Sequence, residues 1–160
     1  MSTSDNVFVA TEYSVTEAAG WLADVLGMEA VADSELKEDE RLFRRSARTA
    51  AGELAVLVRA NGFAVVDPEP DEVQALDRYP IDLSIRLVGR KDEALQLRET
   101  KAIFAELTAA RPDVPVLLVH NLDTLVSAHL PGPGTHTFDP PITPDAPDID
   151  TWRPWVVAAG

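Results

Sequence analysis

Cysteine is absent from the 160 residues. That removes disulfides, thiolate nucleophiles and cysteine-ligated metals together. No stretch approaches the roughly 18 consecutive apolar residues that a membrane-spanning helix needs. The opening MSTSDN has neither a basic region nor an apolar one, so no signal peptide is expected. These absences fit a cytoplasmic protein and no membrane partner. No G-x-S-x-G motif is present, and neither a repeat nor a dividing linker interrupts the chain. Apolar residues make up 46% and charged residues 26%, ordinary for one globular domain with a real core.

Positive charge is scarce at both ends. Residues 1–40 hold ten acids and one base, Lys37. Residues 112–160 hold six acids and one base, Arg153. The middle is balanced, and the total is −13. Such a field repels nucleic acid and anionic membrane and attracts a cationic surface. Solubility alone also accounts for it.

Apolar spacing sets out the elements. NVFVATEY reads as a strand with Val7 and Val9 on one face and Phe8 on the other. Ser14 and Glu17 have capping-box spacing. Ala18, Trp21, Leu22, Val25 and Leu26 follow at helical spacing, and Gly27 is a natural stop. Residues 29–40 are too acidic for a core. RLFRRSAR reads as a strand with its basic residues exposed. GELAVLVRANGFAVV predicts a hairpin around Asn61-Gly62. Residues 67–79 hold a short helix at most. Ile81, Leu83, Ile85 and Leu87 alternate inward, with Asp82, Ser84 and Arg86 outward. A second helix spans 91–110, with Leu97, Ile103, Phe104 and Leu107 as its buried stripe, and Arg111-Pro112 ends it. Seven of the twelve prolines lie in 131–160, which predicts an extended, irregular tail.

The resulting fold class is α+β: a single, mostly antiparallel sheet with two main helices on one face and a Pro-rich C-terminal tail. The domain covers 1–130. The acidic segment 131–160 packs on that domain or extends from it.

Little of this supports catalysis. His120 and His129 flank Asp123 in VLLVHNLDTLVSAHLPG. A three-residue loop, 121–123, pairs His120 with Thr124 and puts His129 on the opposite face by parity. A two- or four-residue loop puts both on one face, but four positions apart, roughly 13 Å at strand rise. Neither register brings two imidazoles to one metal. HTFD, with His136 and Asp139, has no ligand spacing. Asp148-x-Asp150 lacks the further oxygens and the glycine of a calcium loop. In PGPG, proline removes the N–H donors a phosphate cradle needs. No catalytic residue, metal or cofactor is therefore expected. Trp152 and Trp155 in TWRPW either dock on the protein's own core or contact a partner.

AAGWLADVLGMEAVADSE resembles the first helix of glyoxalase-like (vicinal oxygen chelate) domains, which bind metal through His and Glu. The strands that follow, RLFRRSAR and GELAVLVR, carry no histidine. A longer stretch, IDLSIRLVGRKDEALQLRETKAIFAELTAARPDVPVLLVHNLDTLVSAHLPG, resembles the strand-helix-hairpin core of bacterial immunity proteins of swarming-inhibition polymorphic-toxin systems. FVATEYSVTEAAGWLADVLG sits where that family has its first strand and helix. The family's usual phenylalanine before the asparagine is His120 here. The resemblance implies a non-enzymatic cytoplasmic inhibitor, a monomer or weak dimer. It would bind a cognate protein toxin with a basic surface, possible nuclease clefts included, and not nucleic acid itself. Expected contact residues are Asp33, Glu35, Glu38, Asp39 and Glu40, with Asp148, Asp150, Trp152 and Trp155 as a second patch. The alternatives are a small-ligand-binding or glyoxalase-like protein, and an acidic DNA mimic.

Overall fold

The computed structural model describes residues 4–157. In chain order these form β1 (Asp5–Val9), α1 (Val15–Leu26), β2 (Glu29–Val31), β3 (Arg41–Ser46), β4 (Glu53–Ala60), β5 (Ile81–Leu87), α2 (Glu93–Ala110), β6 (Val116–His120), β7 (Thr124–Leu130), β8 (Gly134–Thr137) and a short α3 (Ile149–Trp152). The strands make one antiparallel sheet, ordered β2-β3-β4-β5-β1-β6-β7-β8. The fold is α+β with a single sheet, and both long helices lie on one face of it. No helix among the described residues is long and apolar enough to cross a membrane.

Local signals place the helices. Ser14 Oγ accepts the Glu17 N–H at 3.2 Å, and Gly27 closes α1 in the left-handed region at φ 61°. Asp92 caps α2 by accepting the Leu95 N–H, and Arg111 ends it. Ala18, Leu22 and Leu26 of α1 meet Ile103, Phe104 and Leu107 of α2 over Val7, Val9, Val56, Leu83 and Leu118 of the sheet. Trp21, Val25 and Leu97 only flank this core.

Several expectations are corrected. Asn61-Gly62 does not turn a hairpin. Asn61 Nδ2 donates to the carbonyls of Leu76 and Tyr79, at 3.0 and 2.8 Å, and its N–H donates to Pro80 O. Both edges of β4 are already occupied, by β3 and β5, so 63–66 has no edge to pair with. Residues 67–79 form turns, not a helix. On β5, Asp82 and Ser84 do not face water; both are buried, and only Arg86 of the three is exposed. The acidic run begins with a short edge strand, β2. The segment from 131 supplies β8, two 3₁₀ turns and α3.

A second core explains the buried outer face of the sheet. Phe8, Leu117, Val119 and Leu125 are covered by Leu76 and Tyr79 from one loop and by Phe138, Trp152 and Val156 from the C-terminal segment. Burial pushes the Tyr79 phenol well above its ordinary value, and its oxygen accepts the Val157 N–H.

Arg45 is a further correction to the exposed basic face. Its side chain is buried, and it points toward the helices with its strand neighbour Phe43. The guanidinium makes a two-pronged contact with Glu106 of α2, at 2.9 and 2.8 Å, and donates to Leu26 O at the end of α1. It thus caps a helix C-terminus whose last turn has no basic residue of its own. Glu99 makes a parallel tie. Its carboxylate accepts the N–H groups of Arg48 and Thr49, at 2.6 and 2.7 Å, and the Thr49 hydroxyl, fixing the β3–β4 turn to α2.

Removing the partner of a buried charge costs more than the pair contributes. Glu106→Ala should lower unfolding stability by about 3 kcal/mol in urea titrations, and Arg45→Met in that background should recover part of the loss. Glu99 adds a pH signature. Burial raises its pKa, but the Thr49 hydroxyl, the two N–H groups and Arg45 outweigh that and hold it below the ordinary range. A depressed folded value contributes stability that is present above the unfolded pKa, roughly 4.3, and lost as pH falls through the folded one. Glu99→Gln should therefore be less stable at neutral pH and show a shallower acid limb in a stability–pH profile.

Candidate partner-binding surface

The β2–β3 connection, residues 32–40, is held by its own backbone. Asp33 Oδ1 accepts the Glu35 N–H at 2.9 Å, and Glu40 Oε1 accepts the Lys37 N–H at 3.0 Å. Arg41 Nη1 donates to the carbonyls of Glu38 and Glu40, at 2.7 and 2.8 Å. Arg41 therefore fixes the loop through main-chain oxygens and makes no ion pair with its carboxylates. Asp33, Glu35, Glu38 and Asp39 are exposed and Glu40 is half-buried. Among the described residues none of the five makes an ion pair.

Beside this loop lies the segment that the missing hairpin leaves unpaired. Phe63 meets Phe8 edge-on at 6.3 Å, and the Arg59 guanidinium lies 5.7 Å from its ring. Its N–H donates to Asn61 Oδ1. Phe63 thus anchors the loop at its base. Val65 and Val66 follow it, 42% and 88% exposed. A cleft of about 390 Å³ runs between the two loops, lined by Lys37, Asp39, Glu40, Arg59, Gly62 and Phe63. Arg59 also borders a smaller hollow of about 260 Å³ on the sheet, lined by Leu42, Ala55 and Leu57 with Arg86 beside it.

Asp82 holds Arg59 in place. Its Oδ2 accepts from Arg59 Nε at 3.0 Å and its Oδ1 from Asn6 Nδ2 at 2.7 Å. Burial pushes the Asp82 carboxyl up, against the opposing pull of Asn6 and Arg59.

The second expected patch sits elsewhere and is largely occupied within the chain. Trp152 is buried in the second core, and its indole N–H donates to Asp145 O at 3.0 Å. Trp155 is half-buried, stacked on His136 at 4.2 Å and 6°. Asp148 accepts the Thr143 N–H and hydroxyl, at 2.7 and 2.8 Å, which holds its pKa below the ordinary range. Asp150 is exposed. None of the four lines the cleft beside Asp39.

The histidines are held apart. The 121–123 loop pairs His120 with Thr124, but a bulge between Leu118 and Val119 shifts the register, so His129 pairs with Val116. The bulge reverses the parity expected for a three-residue loop and puts both histidines on one face, four positions apart. His120 Nδ1 lies 2.5 Å from the buried Asp5 Oδ1, while His129 bonds Thr135 Oγ1 and Pro112 O. Among the described residues no group of three or more His, Asp or Glu could hold a metal ion.

The 61–66 loop escaped the sequence reading. Asn-Gly before an apolar run is a hairpin signal, and only the filled edges of β4 overrule it. Comparison with known proteins finds no matching family model, no matching curated protein and no matching solved structure.

The Thr143–Asp148 contact makes a checkable claim about the C-terminal segment. Asp148→Ala should speed hydrogen exchange at the Thr143 amide and the Trp152 indole, measured by NMR. Amides of β1 and β5 should keep their protection.

Proposed function

We propose that this chain is a cytoplasmic immunity-type protein that binds a basic protein toxin and blocks it by occupancy rather than by catalysis. The observation that carries the reading is a loop of five carboxylates without ion pairs among the described residues, two of which, Asp39 and Glu40, share a cleft with Phe63, just before the exposed Val65 and Val66. Exposed charge of one sign steers encounter and sets on-rate. An exposed valine beside it supplies the apolar contact that slows dissociation. Asp33, Glu35, Glu38, Asp39 and Glu40 do the steering, and Val65 and Val66 do the anchoring. The resemblance of the strand-helix-hairpin stretch to toxin-immunity proteins supports the same assignment.

The test is affinity capture from the native lysate at low salt, followed by a salt step and mass spectrometry. A single basic protein released at high salt is expected. Triple reversal of Glu35, Glu38 and Asp39 to Lys should cut its association rate by about tenfold or more at low salt. Val66→Asp should raise its dissociation rate without changing thermal stability. Capture that is indifferent to ionic strength and to both variants would sink the proposal.

A further inference from the structure

Away from that cleft, the 67–79 loop and the C-terminal segment enclose a crevice of about 520 Å³, within the range of small-molecule sites. Its apolar surface comes from Val73, Ile149, Trp152 and Val156. Trp152 is fixed there by its bond to Asp145 O, so the wall is preformed. The polar groups divide by sign. Gln74 Nε2 donates to Asp145 Oδ1 at 3.0 Å, which leaves its Oε1 as an unused acceptor. Asp77 Oδ2 accepts the Gln74 N–H, while Oδ1 is shut from water without a hydrogen-bond partner. Asp77 borders the crevice and makes no ion pair among the described residues. Arg78 and Arg153 also border it; both are exposed, and neither makes an ion pair among the described residues.

A purely anionic ligand would meet the acidic field of the chain, and a purely cationic one would meet two guanidinium groups. A ligand carrying both charges on an apolar body satisfies both sets. We propose that this crevice binds a zwitterionic apolar α-amino acid, a ligand class that the toxin-binding reading does not include. Its ammonium group meets Gln74 Oε1 in the field of Asp77. Its carboxylate takes the paired donors of Arg78 and Arg153. Its side chain lies against Trp152, Ile149 and Val156. The site shares no lining residue with the cleft beside Asp39, so either assignment can fail alone.

The experiment uses the full chain and L-phenylalanine, with N-acetyl-L-phenylalanine and L-phenylalaninamide as controls that each lack one charge. Binding is read as the shift of the Trp152 indole resonance, assigned with Trp152→Phe. L-Phenylalanine should bind at about 1 mM or tighter. Each control should bind at least about tenfold more weakly. Arg78→Ala with Arg153→Ala, both at exposed positions, should keep the native spectrum and bring L-phenylalanine down to the level of its amide. Asp77→Asn, which keeps the acceptor for the Gln74 N–H, should reduce the preference over the N-acetyl compound. No shift at Trp152 at several times that concentration, or equal binding of all three probes, would overturn the assignment. So would unchanged affinity in the double arginine variant.

Discussion

β1 pairs with β5 on one side and β6 on the other, and each of its five residues is buried. A central strand needs cover on both faces, because its alternating side chains leave the sheet in both directions. Val7 and Val9 meet the helices, while Phe8 needs a second lid. The loop before β5 and the Pro-rich segment after β8 supply that lid around Tyr79 and Trp152. The segment that reads as a tail therefore supplies part of the second core, through Phe138, Trp152 and Val156, and its prolines and short helical turns are the geometry of a cover.

Polar groups inside this frame are ties between distant segments. Asp5 of β1 meets its register partner His120 on β6 and also accepts from Gln96 on α2, which in turn accepts the Leu87 N–H of β5. Arg45 joins β3 to both helices, Glu99 joins α2 to the β3–β4 turn, and Asp82 joins β5 to Asn6 and Arg59. Each of these groups has hydrogen-bond partners that offset the cost of its burial, although Arg45 Nε itself has none. They fix which loop lies where. The pair of histidines that most suggests chemistry serves the same purpose.

The open features lie at the periphery. The acidic loop enters and leaves on β2 and β3, at one edge of the sheet, and the 61–66 loop leaves from the end of β4 beside it. Exposed carboxylates and an exposed apolar loop thus leave neighbouring strands of one sheet. The crevice around Trp152 lies against the second core, so the same lid that completes the fold also forms its wall.

Much of this was legible in the residues. Ser14 and Gly27 bound α1, Pro112 ends α2, and alternation places Val7, Val9, Leu83 and Ile85 inward, because caps and periodicity act within a few residues. Exposure of Asp33 to Asp39 follows equally from their density of charge. What the tertiary structure decided is what lies across the sheet. Asn61-Gly62 fails as a hairpin because β5 arrives from twenty residues further on. Arg45 is buried because Glu106 and Leu26 O wait there, and His129 changes face because of one bulge in its pairing. Local sequence sets the period of an element, but partners far away in the chain fix which edges are free, which faces are covered and which charges are neutralised.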